Sequence, residues 1–223
     1  DDIAATVKPD DAHCAISRLL CLENTVAGYV QSAEAIDEMA TVGRARGLAV
    51  HLDGARLMNA VVKLGIPAAK LVAGVDTVSL CLSKGLGTPA GSVLAGPLDF
   101  IRRAHRIRKL VGGGMRQIGV LAAAGIHALD HHVDRLADDH INAIRLAEGL
   151  SRVKAIEVNP GSVETNMVFI GLPDGTADGL RAHLAARGIL LGGGNKEIRL
   201  VTHLDINGDD IDLLTEEFFH YFA

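Results

Sequence analysis

Hydrophobic and polar positions alternate between two periods along the first half of the chain. Short, mostly apolar runs at Ser17–Leu22 (SRLLCL), Leu48–Leu52 (LAVHL) and Thr77–Leu82 predict buried strands. Gly91–Ala95 predicts one more, ended by Gly96-Pro97. Between them, Ala33–Arg46 and Leu57–Leu64 carry helical spacing. Ser32 supplies a start signal, and Gly47 and Gly65 supply stops. Asp1 to Asp11 is polar and holds Pro9, so it reads as a loop or a frayed helix end. Strands separated by helices, with short glycine-marked turns, predict an α/β layered sheet.

The texture then changes. Leu98–Lys109 predicts a basic helix running into Gly112-Gly113-Gly114. Gln117 to about Leu150 predicts one long, Ala-rich helix that bends near Gly125. Beyond it, short strands at Ile156–Val158, Met167–Ile170 and Glu197–Val201 mix with helices at Leu180–Arg187 and Ile211–Phe222, an α+β pattern. The expected division is a large domain over residues 1–135 and a small α+β domain over 136–223. No internal repeat or low-complexity linker interrupts them.

Composition narrows the partners. The 223 residues hold 22 Lys and Arg against 27 Asp and Glu, a net charge of −5, which argues against nucleic acid or an anionic membrane as the main partner. Mean hydropathy is +0.25, yet no apolar run approaches the roughly 18 residues of a membrane helix. Cys14, Cys21 and Cys81 are odd in number and form no CxxC pair, which argues against a disulfide framework or structural zinc site. They suit buried positions in a reducing compartment, and the cytoplasm is the expected location. The chain opens Asp1-Asp2-Ile3 with no Met, which reads as a processed start or a piece of something longer.

Two strand ends carry the candidate chemistry. Asp53 closes LAVHLDGAR and Lys84 closes DTVSLCLSKG. In open α/β sheets functional groups collect beyond the carboxyl ends of strands. If the two strands are near neighbours, a carboxylate and an ammonium face one crevice. Pyridoxal phosphate needs that pair: a Lys amine for its aldehyde and an acid for its pyridine nitrogen. Either residue alone is ordinary, because a Lys after a strand is usually a surface residue and an Asp before Gly is usually a turn or cap. Ser83 before the Lys and Arg56 three residues after the Asp tip the balance towards function.

Other constellations point less far. His127, Asp130-His131-His132 and His140 hint at a metal, but HExxH is absent and Asp134, Asp138 and Asp139 read as a solvated face, so no metal is expected. Arg102, Arg103, Arg106, Arg108 and Lys109 lack interleaved aromatics and suit a subunit interface or a phosphate neighbour better than nucleic acid. Gly112–Gly114 follows a helix rather than a strand, and Gly192–Gly194 is a lone run that reads as a turn.

Five stretches carry a family resemblance: Leu19–Thr25 (LLCLENT), His51–Arg56 (HLDGAR), Ser79–Gly87 (SLCLSKGLG), Gly112–Gln117 (GGGMRQ) and Arg199–Asp205 (RLVTHLD). In this order and near this spacing they resemble L-threonine aldolases, pyridoxal-phosphate enzymes of the aspartate-aminotransferase fold. The resemblance covers essentially the whole chain. It implies a partial pyridoxal-phosphate-binding large domain, with a mostly parallel sheet and flanking helices, followed by a small α+β C-terminal domain. It implies aldol cleavage of L-threonine or L-allo-threonine to glycine and acetaldehyde through an external aldimine, in a cytoplasmic homo-oligomer, dimer or tetramer.

The resemblance also implies roles. Lys84 would hold the cofactor as its internal aldimine, and Asp53 would face the pyridine nitrogen. Ser83 would join the cofactor site. Arg56 would act on the phenolic oxygen or the substrate carboxylate. Arg116 would reach the cofactor phosphate, and Arg199 would clamp the substrate carboxylate, a job that guanidinium geometry suits. His13 would be a general base near the substrate hydroxyl, and Glu23 and Asn24 would sit on a loop that approaches the cofactor. About a third of the family's length would precede residue 1, with a glycine-rich phosphate turn, a ring-stacking histidine and a serine. Another lyase or an aminotransferase of the same fold, or a catalytically silent fragment, stands as the alternative.

Overall fold

The computed structural model of the protein describes residues 2–223. The chain forms two compact units. One holds the chain up to Val26 together with Val30–Asp134, and the other holds Ala27–Tyr29 and Arg135–Ala223.

The first unit contains α1 (Asp2–Thr6), β1 (Leu19–Glu23), α2 (Ala33–Arg44), β2 (Ala49–Gly54), α3 (Leu57–Leu64), α4 (Ala68–Leu71), β3 (Thr77–Cys81), β4 (Ser92–Ala95), α5 (Leu98–Leu110) and α6 (Gly119–His131). Its sheet has the order β1-β2-β3-β4. The first three strands run parallel, and β4 returns antiparallel to β3. The two-residue period of the strands sorts the side chains. Leu22, Val50 and Leu52 turn inward and pack with Ile36 and Ala40 of α2 and with Leu57 and Ala60 of α3. Cys21, Glu23, His51 and Asp53 alternate with them along the same strands. Ser32 caps α2 by accepting from the Ala35 N–H at 3.1 Å. α3 stops at Gly65, whose φ of 64° is the left-handed C-cap conformation.

The expected single helix over 117–150 is two helices. α6 ends at His131, and the next helix, α7, begins at Leu136. Gly125 does not bend the chain. It is buried against Leu82, whose Cδ1 would lie 3.0 Å from an added Cβ. The break falls at His132, whose partner lies outside the helix. His132 Nδ1 lies 2.7 Å from the Leu86 carbonyl oxygen, and Arg135 pairs with Asp139 a turn further on.

The second unit contains α7 (Leu136–Leu150), β5 (Glu157–Val158), β6 (Met167–Gly171), α8 (Ala177–Ala185), β7 (Glu197–Val201) and α9 (Gly208–Phe222). Its strands pair antiparallel in the order β5-β6-β7. The core joins Leu146 and Leu150 of α7, Val168 and Ile170 of β6, Leu180 and Leu184 of α8, Ile198 of β7, and Ile211 and Phe218 of α9. Asn207 and Asp210 close a capping box at the start of α9, two residues of sequence that the apolar pattern alone passes over.

Asp139 is fully buried and ion-paired with Arg135, and its own backbone carbonyl accepts from Thr202 Oγ1 at 2.6 Å. Burial pushes its carboxyl above the ordinary value of 3.8, against the pull of the Arg135 hydrogen bond and charge. A carboxyl raised in the folded state binds its proton more tightly there than in the unfolded chain. Its contribution to stability is therefore complete below 3.8 and is lost as pH rises through the raised value. Asp139→Asn should flatten the pH dependence of the denaturant midpoint across that window. A wild-type slope retained in the variant would contradict the assignment.

Candidate functional site

The parallel pairing of β2 and β3 brings the two chemical strand ends together. Asp53 lies opposite Ser79 and Gly54 opposite Leu80, so the chain leaves both strands at the same sheet edge. Lys84 follows four residues after Leu80 in the turn beyond β3. It is exposed, and its side chain makes no hydrogen bond or ion pair with the described residues. Asp53 is exposed, and its Oδ1 accepts from the Ala55 N–H at 2.9 Å, a turn that fixes the carboxylate at the strand end. Arg56 stands at the N-cap of α3 and shares a small cavity with Cys81, Gly85 and Leu86, which sets it against the Lys84 turn. Ser83 Oγ lies 3.7 Å from Cys81 Sγ.

Three features that sequence reasoning missed hold this corner in place. Gly54 is required by close approach: an added Cβ would lie 2.5 Å from the Ser79 carbonyl oxygen and 3.1 Å from Leu57 Cβ. Gly54→Ala is expected to cost about 2–3 kcal/mol of stability by forcing β2 away from β3. The denaturant midpoint checks this, and an unchanged midpoint would contradict it. The second feature is the His132 bond to the Leu86 carbonyl, which ties the end of α6 to the Lys84 turn. The turn also closes on itself, with the Gly87 N–H donating to the Lys84 carbonyl at 2.8 Å and the Thr88 N–H to the Leu82 carbonyl at 3.1 Å. His132 is 46 residues from Leu86, and no local pattern announces such a pair.

His13 and Arg116 lie outside the strands that lead to Asp53 and Lys84, whereas Glu23 pairs with Asp53 in the sheet and the Asn24 N–H donates to the Asp53 carbonyl at 3.0 Å. His13 lies in the segment between α1 and β1 and is 93% exposed. Its Nδ1 is 2.8 Å from Asp11 Oδ1, and its backbone N–H donates to the same oxygen at 2.7 Å. These two bonds from His13, the backbone one first, lower the Asp11 carboxyl below its ordinary value. The contact with Asp11 engages Nδ1 and leaves Nε2 facing away from that carboxylate. Arg116 lies between α5 and α6, exposed and without an ion pair among the described residues. Glu23 is the last residue of β1. Asn24 is fully buried, and its side chain spans the loop to Gln31, donating to the carbonyl at 2.9 Å and accepting from the N–H at 3.2 Å. It shapes its own loop.

Arg199 belongs to the second unit. It sits on β7 opposite Phe169 of β6 and lines a cavity of about 620 Å³ with His203, Leu191 and the glycines 192–194. His127, His131 and His132 approach one another, with ring centroids 4.5 and 5.2 Å apart, but no group of three or more His, Cys, Asp or Glu among the described residues is arranged to hold a metal ion.

A mostly parallel sheet with a carboxylate and an amine beyond adjacent strand ends, followed by an α+β unit, defines an α/β architecture. The chain belongs to the beta-eliminating lyase family, whose model matches residues 1–172. It is 48% identical over 202 residues to the low-specificity L-threonine aldolase 1 of Arabidopsis thaliana, covering 87% of this chain and 56% of that one. It is 45% identical over 211 residues to the low specificity L-threonine aldolase of Escherichia coli (strain K12), covering 95% and 62%. The chain therefore spans about three fifths of the length of these curated relatives. The fold is that of the threonine aldolase of Leishmania major, with a TM-score of 0.81 at 20% identity over 100% of this chain and 66% of that one.

Proposed function

We propose that the protein acts as an L-threonine aldolase, cleaving L-threonine or L-allo-threonine to glycine and acetaldehyde with pyridoxal 5'-phosphate. One observation carries the reading: Asp53 and Lys84 leave neighbouring parallel strands at one sheet edge, with Arg56 against the same turn. That donor set fits the cofactor. Lys84 offers an unpaired amine for its aldehyde, Asp53 a carboxylate for its ring nitrogen, and Arg56 and Arg116 cations for its phenolic oxygen and phosphate. The relatives named for threonine cleavage support the substrate class.

When bound, pyridoxal phosphate supplies a sink for the electron pair of the breaking Cα–Cβ bond. This chain's residues do the rest. Lys84 Nζ would hold the cofactor through its aldehyde carbon. Asp53 keeps a proton on the ring nitrogen. Arg199 would orient the substrate carboxylate, Arg56 would act on that carboxylate or on the phenolic oxygen, and Ser83 would flank the cofactor. His13, whose Nδ1 is engaged by Asp11, would take the proton from the β-hydroxyl at Nε2. In this reading residues 1–135 belong to the cofactor-binding domain and 136–223 to the small domain.

Assembly and location follow the same reading. From α5 to α6 the chain exposes Leu98, Ile107, Leu110, Val111, Met115 and Val120, an apolar stretch that a homotetramer would bury. Three free cysteines suit the cytoplasm, and no helix among the described residues is long and apolar enough to cross a membrane. The functional test is to incubate the full-length protein with pyridoxal phosphate and L-threonine and to measure acetaldehyde and glycine. Both should appear in equal amounts. Cofactor binding without acetaldehyde would favour another lyase or an aminotransferase of this fold.

A further inference from the structure

The cavity that holds Arg199 has an unusual wall. Gly192, Gly193 and Gly194 line it in succession, and three glycines have more backbone freedom to lose than any other tripeptide. Gly193 has a φ of 102°, and an added Cβ would lie 3.2 Å from Ile198 Cγ2, so the loop runs tightly over the start of β7. Something must hold so soft a segment against the strand that carries Arg199.

Arg181 does so. It projects from α8, whose Leu180 and Leu184 are fully buried in the core of the same unit. Its Nη2 donates to the Gly193 carbonyl at 2.9 Å and to the Gly194 carbonyl, and its Nη1 donates to Asn195 Oδ1 at 3.0 Å. Nη1 also donates to Asp178 Oδ1 at 3.1 Å, which steadies the guanidinium from its own helix. Only a quarter of the side chain is exposed. The planar fork of donors grips consecutive carbonyls in a way that a single ammonium does not. In trans, planar peptides the C=O and the following N–H point in opposite directions. The Gly194 and Asn195 N–H groups therefore face away from Arg181.

We infer that Arg181 is a positioning residue for amino-acid binding, clamping the triglycine wall of the Arg199 cavity. The inference rests on the proposed role of Arg199 as carboxylate clamp. The hydrogen bonds of Arg181 go to its own helix and to the loop, so its loss is expected to act on binding rather than on the chemical step.

Two measurements on the full-length protein test this. In Arg181→Met, amide exchange over residues 189–196 should quicken by about tenfold, the protection that one or two hydrogen bonds confer. In the same variant the KM for L-threonine should rise about tenfold with kcat changed by less than about twofold, the signature of lost uniform binding. Arg181→Lys keeps the charge beside Asp178 but not the fork, and should fall between wild type and Arg181→Met in both measurements. Unchanged exchange would overturn the clamp. Faster exchange with an unchanged KM, or a kcat that falls as KM rises, would overturn its role in binding. A wild-type protein that binds cofactor but makes no acetaldehyde would overturn the functional reading itself, while the exchange comparison still decides whether the clamp exists.

Discussion

Lys84→Ala in the full-length protein should abolish the visible absorbance of covalently held pyridoxal phosphate and lower threonine cleavage by roughly 10³-fold or more, the scale set by removing a group that bonds covalently during catalysis. The reason is local. Lys84 stands in the turn beyond β3, at the edge where β2 delivers Asp53. Its side chain has no partner among the described residues, so its amine is not spent on structure. Its removal should leave the fold intact, because the turn is held by backbone bonds and by His132 rather than by the lysine side chain. The variant should unfold at the wild-type midpoint. Retained absorbance with normal cleavage would contradict the role.

The second large effect is expected at Asp53. Asp53→Asn keeps an oxygen for the Ala55 N–H, so the strand-end turn survives. What it loses is the charge that would hold a proton on the cofactor ring. Cleavage should fall by about 10²–10³-fold, the usual loss when one preorganised electrostatic partner is removed. The cofactor should still attach to Lys84, which separates the two roles: one variant loses attachment, the other keeps it and loses turnover. Near-normal turnover in Asp53→Asn would remove the carboxylate from the mechanism.

The parts of this site that sequence reveals are those with local causes. Apolar runs a few residues long, ended by glycine or a polar turn, place β2, β3 and the helices between them. Because β2 and β3 are parallel neighbours, two residues 31 apart in sequence come to one sheet edge, and the strand pattern suffices to expect it. The close approach of Gly54 to Ser79, the bond of His132 to Leu86 and the grip of Arg181 on Gly193 are different. Each joins groups from separate elements through a backbone atom, and a carbonyl carries no mark of residue type. The split between α6 and α7 escapes notice for the same reason. Residues 117–150 have helical spacing throughout, and the break falls at His132, whose bond to the distant Leu86 carbonyl is tertiary. Asn24 combines a local and a distant cause: its side chain spans its own loop to Gln31, while its N–H donates to the Asp53 carbonyl at 3.0 Å.

The central claim is that Lys84 is the residue that bonds pyridoxal phosphate. Borohydride reduction of the cofactor-loaded, full-length protein, followed by peptide mass mapping, tests it most directly. This chain has seven lysines, so attachment at random would spread over Lys8, Lys63, Lys70, Lys109, Lys154 and Lys196 as well. A reduced pyridoxyl group is expected on the peptide that contains Lys84, near one per chain, and none on the others. Label spread across the surface lysines, or concentrated on any of them with Lys84 unmodified, would contradict it.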